Sequence, residues 1–142
     1  MPDRDELALA RRCAAAMLAR DRASAALGIT IDIPAPGAAV ARMQVRDDMV
    51  NGFGVCHGGL VFALADTAFA FACNAYDRVT LAASASIEFL RPSAAGDELT
   101  AHAREDRRDA RRGFYTVEVQ NGDGDLVALF RGRASAREET LL

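Results

Sequence analysis

Residues 51–75 read NGFGVCHGGLVFALADTAFAFACNA, and the rest of the chain is organised around them. The stretch opens on a glycine-rich loop, Asn51-Gly52-Phe53-Gly54, followed by His57-Gly58-Gly59. From Leu60 to Cys73 it is apolar except for Asp66 and Thr67. Ala, Leu and Phe dominate, β-branched residues are few and proline is absent, so the run predicts a helix. A helix apolar on all sides is buried on all sides. At about 14 residues, and carrying a carboxylate, it is too short and too polar for a membrane span.

Asp66 is the informative residue. An ionised carboxylate buried without partners costs several kcal/mol or shifts its pKa until it is neutral. The helix start is the second feature: its first N–H groups lack acceptors, and the macrodipole makes that end partly positive. Gly58 and Gly59 have no side chains to shield those donors, so a carbonyl oxygen or oxyanion can approach closely. A buried carboxylate and an open helix N-terminus are two parts of an acyl-transfer site. Eight residues separate them, roughly 12 Å along a helix, too far to serve one bond from one chain. Two such helices, antiparallel across a two-fold axis, would bring Gly58 of one copy to Asp66 of the other. An obligate dimer is therefore expected.

The 142 residues, half of them hydrophobic, suffice for one domain with a sizeable core. Cys13, Cys56 and Cys73 form an odd set without metal-like spacing, and with only His57 and His102 beside them a zinc site is not expected. Free thiols in a reducing cytoplasm are the simpler reading. The net charge of −3 argues against nonspecific nucleic-acid binding. All 17 basic residues are arginine, which reads as compositional bias. The N-terminus carries early acids and no continuous apolar core, so no secretory signal is expected, and the protein is read as soluble and cytoplasmic.

Residues 3–20 have the spacing of an amphipathic helix. Residues 27–33 alternate as a strand that stops at Pro34-Ala35-Pro36-Gly37, and residues 38–46 form a second strand. After the central helix, strands are expected over 79–90, 97–107, 112–120 and 125–136, with a hairpin at Asn121-Gly122-Asp123-Gly124. These pieces predict an antiparallel meander of four wrapped around the helix, with the first strand pair beside it.

The order and the residues resemble the hotdog fold, an α+β fold in which an antiparallel sheet wraps one long central helix, here with an additional N-terminal helix. Within it they resemble the phenylacetic acid degradation (PaaI-like) acyl-CoA thioesterases. The resemblance is carried by NGFGVCHGGLVFALADTAFAFACN (51–74), ASASIEFLRP (83–92) with AGDELTA (95–101), and LVALFRGRA (126–134). It implies an N-terminal helix over 1–23 and a hotdog domain over 24–138. It also implies Asp66 as general base or nucleophile, Gly58 as oxyanion donor with Gly59 allowing close approach, and Asn51 as a polar group holding the thioester or the water. His57 and Thr67 are further candidates, although a helix Thr also satisfies itself on a preceding carbonyl.

Ser84 and Ser86 stand on the strand that would pass the site, while the serine some relatives use there falls nearer Ala82. Arg107, Arg108, Arg111, Arg112 and Arg137 would meet the phosphates of coenzyme A, since guanidinium forks suit phosphate oxygens. Phe53, Leu64 and Phe69 are candidates for the acyl pocket. The implied reaction is hydrolysis of phenylacetyl-CoA or its hydroxylated derivatives, with no metal or redox cofactor, in a dimer paired again into a homotetramer. The rival readings are an acyl-CoA hydratase or dehydratase of the same fold and a non-enzymatic acyl-CoA-binding protein. The first would consume enoyl-CoA without releasing thiol, and the second would bind without turnover.

Overall fold

The computed structural model describes residues 3–142. Helix α1 (Arg4–Leu18) begins where the Asp3 carboxylate accepts the Asp5 N–H, and it buries Ala10, Cys13 and Ala14 on the side facing β1 (Thr30–Ala35). A short helix not expected from the sequence, α2 (Arg22–Leu27), follows. The Asp21 carboxylate caps it through both the N–H and the hydroxyl of Ser24, and Gly28, at φ 70°, ends it. Leu27 is thus helical, the first strand starts three residues later, and the expected boundary at residue 23 falls inside α2. Residues 1 and 2 of the expected N-terminal segment lie outside the described residues.

Strand β1 runs on through Pro34 because it is an edge strand paired only with β2 (Ala38–Gln44), where a missing N–H need not cost a ladder bond. The reversal itself is made at Pro36-Gly37, with Gly37 at φ 78°. After α3 (Gly58–Cys73) come β3 (Thr80–Phe89), β4 (Glu98–Arg108), β5 (Arg112–Gln120) and β6 (Leu126–Ala136). The six strands form one antiparallel sheet in the order β1-β2-β4-β5-β6-β3. The meander therefore has three strands, not four. The segment after Phe89 does not turn back but crosses the start of α3. There the Ser93 carbonyl accepts the Cys56 N–H at 2.8 Å and the Asp97 carbonyl accepts the Val45 N–H at 2.8 Å. This crossing leaves β3 at the free edge beside β6.

One face of the sheet packs on α3. Leu64, Ala65, Ala68, Phe69 and Ala72 are buried against Ala41, Met43, Leu99, Ala101, Val117 and Phe130. The small residues of β2 and β4 let the helix sit close. Leu64 and Phe69, candidates for the acyl pocket, are instead core: both are essentially inaccessible, and the Phe69 ring lies 5.4 Å from Tyr115 and 5.6 Å from Phe130. At the far end of the helix, the buried Asn74 amide donates to Ala70 and Thr80 carbonyls while its oxygen accepts the Thr80 N–H, tying α3 to β3. The three cysteines are free and buried. Among the described residues no helix is long and apolar enough to cross a membrane.

Candidate active site

The helix α3 is buried along most of its circumference, but one stripe is left open. Gly59 is exposed, and Phe62, Ala63, Asp66, Thr67 and Ala70 are half-buried at the i, i+3, i+4 spacing of a single face. Beside it, β3 is paired on one side only and is exposed along most of its length.

Asp66 sits mid-stripe. Burial pushes its carboxyl above the ordinary aspartate range, and among the described residues no cation or hydrogen-bond donor acts to pull it back. Such a carboxylate is a better proton acceptor than an exposed one. The neighbouring Thr67 hydroxyl donates to the Ala63 carbonyl at 2.7 Å, so only its lone pairs are available to another group.

The amino end of α3 is open. His57 caps it by conformation only, its side chain making no capping bond and standing exposed, while its carbonyl accepts the Leu60 and Val61 N–H groups. The N–H groups of Gly58 and Gly59 find no acceptor among the described residues. Asn51 is held nearby by its own loop. Its side-chain oxygen accepts the N–H of Phe53 at 2.9 Å and of Val55 at 3.2 Å. The oxygen being so committed, the amide NH2 is the group left to donate. Gly54, at φ 75°, completes the turn and places Phe53 at its tip, 92% exposed. A cleft of about 350 Å³ adjoins Gly58, walled by Asn51, Val61, Phe89, Leu90, Ser93 and Val127. Ser93 was not singled out from the sequence; its burial at the helix start arises only from the chain crossing.

Ser84 and Ser86 are not brought to Asp66. A bulge between Ala82 and Ser84 inverts the alternation of β3, so Ser84 pairs with Arg133 and Ser86 with Arg131 on the face away from α3. Ala82 and Ala85, opposite Ala134 and Gly132, take the helix side instead.

The arginines gather at the carboxyl end of α3, away from Gly58 of the same chain. Arg111 and Arg137 share a surface cleft of about 420 Å³. Arg107 is exposed on β4. Arg112 is engaged with Asp109 at 3.4 Å, and Asp109 is held below its usual pKa chiefly by the Arg111 and Arg112 N–H groups. Arg108 folds back: its guanidinium lies 3.6 Å from the centre of the Tyr76 ring and 3.7 Å from the Glu105 carboxylate. Burial raises all three thiols, Cys73 to about 12, so Cys56 beside His57 is not a thiolate nucleophile. Among the described residues no three His, Cys, Asp or Glu side chains stand together as a metal set.

An antiparallel sheet around one buried helix, with a carboxylate mid-helix and bare glycines at its start, is the hotdog architecture of thioester enzymes. The comparisons with known proteins agree. The Thioesterase superfamily model matches residues 53–128. Acyl-coenzyme A thioesterase PaaI of Escherichia coli is 46% identical over 119 residues, covering 84% of this chain and 85% of that protein. The structure of the Escherichia coli PaaI protein from the phenylacetic acid degradation operon superposes with a TM-score of 0.92 at 42% identity, covering 94% of this chain and 97% of that one. A variant of the phenylacetic acid degradation protein PaaI from Thermus thermophilus gives a TM-score of 0.77 at 40% identity, covering 81% and 98%. The chain belongs to the thioesterase superfamily, within its PaaI-like hotdog group, and is a thioester hydrolase.

Proposed function

We propose that the protein hydrolyses acyl-CoA thioesters of the arylacetyl type, phenylacetyl-CoA and its ring-hydroxylated derivatives, to the free acid and coenzyme A. The observation that carries the reading is Asp66. It is a carboxylate raised by burial, without a partner among the described residues, on a face of α3 that those residues leave half-open. The 46% identity to a protein named acyl-coenzyme A thioesterase PaaI supports the substrate class.

In this reading two copies join through the free edge of β3, which sets their α3 helices antiparallel. Gly58 of one copy then meets Asp66 of the other. The thioester carbonyl oxygen accepts the Gly58 N–H, with Gly59 leaving room and the Asn51 amide as a further donor. Asp66 takes a proton from water, and the water oxygen attacks the carbonyl carbon. The tetrahedral oxyanion collapses, the C–S bond breaks and the coenzyme A thiolate leaves, taking up a proton. His57 shapes the helix start, and the lone pairs of Thr67 hold the water. Arg107, Arg111, Arg112 and Arg137 face the phosphates of coenzyme A, while Arg108 is tied to Tyr76 and Glu105 and contributes less. The cleft at Gly58 takes over the acyl-pocket role from Leu64 and Phe69, and Phe53 stands exposed on the neighbouring loop. The reaction uses no metal or redox cofactor, and the dimers pair into a homotetramer in the cytoplasm.

The test is thiol release from phenylacetyl-CoA, a hydroxyphenylacetyl-CoA, a short-chain and a long-chain acyl-CoA, with wild type and Asp66→Asn. Turnover of the arylacetyl esters, lost in the variant while the dimer persists by sedimentation, is the expected result. No thiol from any ester would overturn it.

A further inference from the structure

Arg111 and Arg137 are joined in the fold by a third guanidinium. Arg78 lies in the loop between α3 and β3, half-buried. Its Nε donates to the Arg137 carbonyl at 2.9 Å and its Nη1 to the Ala110 carbonyl at 3.2 Å. One side chain thereby ties the end of β6 to the β4–β5 hairpin, the two segments that carry Arg137 and Arg111. Both acceptors are neutral, so they leave the charge of Arg78 uncompensated, and Nη2 has no acceptor among the described residues.

The residues on either side of Arg78 are pinned to the carboxyl-terminal segment. Asp77, at φ 54°, accepts the N–H groups of Leu141 and Leu142 at 3.0 and 2.8 Å. Val79 donates to the Glu139 carbonyl at 2.9 Å and accepts the Arg137 N–H at 2.8 Å. A guanidinium fork fixed before binding loses less freedom for each bond it then makes.

Arg78, Arg111 and Arg137 line one surface cleft of about 420 Å³, with Ser135 and Glu138. Among the described residues none of the three arginines is paired with a carboxylate, and Glu138 makes no ion pair. Three guanidiniums against one carboxylate leave a surplus of two positive charges. A phosphate monoester carries about −1.5 to −2 at neutral pH and balances that surplus. Each phosphate within a pyrophosphate bridge carries less. The cleft lies past the carboxyl end of α3, and from Asp66 to that end at Asn74 is roughly 12 Å along the helix, a span that an extended pantetheine arm crosses.

We propose that Arg78 is a specificity-determining residue which, with Arg111 and Arg137, holds the 3′-phosphate monoester of coenzyme A, so that coenzyme A thioesters are taken in preference to the same acyl group on 3′-dephospho-coenzyme A or on pantetheine alone. This rests on the thioesterase reading above. An acyl group on the phosphopantetheine arm of a carrier protein ends in a phosphodiester, brings no monoester to the cleft and is disfavoured for the same reason. The preference is roughly 10- to 100-fold, the worth of one or two hydrogen bonds to a charged group, and it shrinks as salt rises.

The experiment separates binding from chemistry. Calorimetry on Asp66→Asn protein measures dissociation constants of phenylacetyl-CoA, its 3′-dephospho analogue, S-phenylacetyl-pantetheine, and adenosine 3′,5′-bisphosphate, which has no thioester. The set is repeated with Arg78→Gln or Arg78→Lys added, and thiol release is followed in parallel with Asp66 intact. The coenzyme A ester should bind 10- to 100-fold more tightly than the dephospho ester, which keeps the pyrophosphate. Arg78→Gln should erase that advantage and weaken the bisphosphate, while the dephospho and pantetheine esters change little. Arg78→Lys, which keeps the charge but not the fork across two carbonyls, should retain part of it. In turnover, Arg78→Gln should raise KM for the coenzyme A ester far more than it lowers kcat. Equal binding of the coenzyme A and dephospho esters without any change at Arg78 would overturn the proposal, whatever the variants do. So would an advantage that survives Arg78→Gln, or a parallel loss for all three esters, which marks a clamp of structure alone. An absence of thiol release with the 3′-phosphate preference intact would sink hydrolysis and leave Arg78 standing.

Discussion

Phe69 lies directly over Gly132: a Cβ at Gly132 would fall 2.8 Å from the Phe69 ring. The buried ring of α3 thus reaches the sheet only because β6 has no side chain at that point. Gly132→Ala overpacks the contact, since Phe69 is also boxed in by Tyr115 and Phe130. The expected loss is about 1–3 kcal/mol, read as a lower denaturant midpoint at unchanged slope.

Asp66→Asn should lower turnover by about 100-fold or more, the scale of a lost general base. The wild-type rate should fall on the acid side through a pKa above the ordinary aspartate range, because burial raises this carboxyl. The same shift has a stability consequence of opposite use. A carboxyl with a raised folded pKa favours folding below its unfolded pKa, and that contribution is lost as pH rises through the folded value. At neutral pH the charge is therefore a burden, and Asp66→Asn should melt higher there, the gain vanishing in acid. An equal or lower melting temperature at pH 7 would contradict the assignment.

Complementation between copies tests the shared site. Gly58→Pro deletes the donor at a first-turn position where proline is tolerated, with the Phe89 ring giving way. Homodimers of Gly58→Pro and of Asp66→Asn should each be nearly inactive. A mixed dimer keeps one intact pairing, Gly58 of one copy with Asp66 of the other, and should recover about half of the per-site activity expected from one good site in two. Silence of the mixed dimer would place both groups in one chain.

Asn74→Ala should destabilise by about 2–3 kcal/mol, because it leaves the Thr80 N–H and carbonyl unpaired in a buried corner. Thermal denaturation and hydrogen exchange at Thr80 would report it. A loss below half a kcal/mol would show that water replaces the amide.

Both tyrosines of the chain donate to one Glu105 oxygen, Tyr76 and Tyr115 each at 2.9 Å. Burial first, then the carboxylate, pushes Tyr76 up to about 12 and Tyr115 higher still. Spectrophotometric titration of the folded protein should show no tyrosinate near the ordinary value of about 10. Glu105→Gln should bring the onset lower. Normal titration of either ring in the folded wild type would contradict the cluster.

The sequence by itself determined the central helix, the placement of Asp66 and Gly58 at its middle and its start, and most strands to within a residue or two. These are local properties: apolar runs, glycine pairs and alternation are written residue by residue. Tertiary structure alone decided that β3 leaves the meander for the free edge, because the chain after Phe89 is held across the start of α3 by bonds to Cys56 and Val45. It decided that a bulge turns Ser84 and Ser86 away from the helix, since inversion of a strand's faces depends on register with β6. It sent Leu64 and Phe69 into the core and folded Arg108 back onto Tyr76. It also buried Ser93 beside Gly58, a position set by long-range pairing that no local pattern encodes.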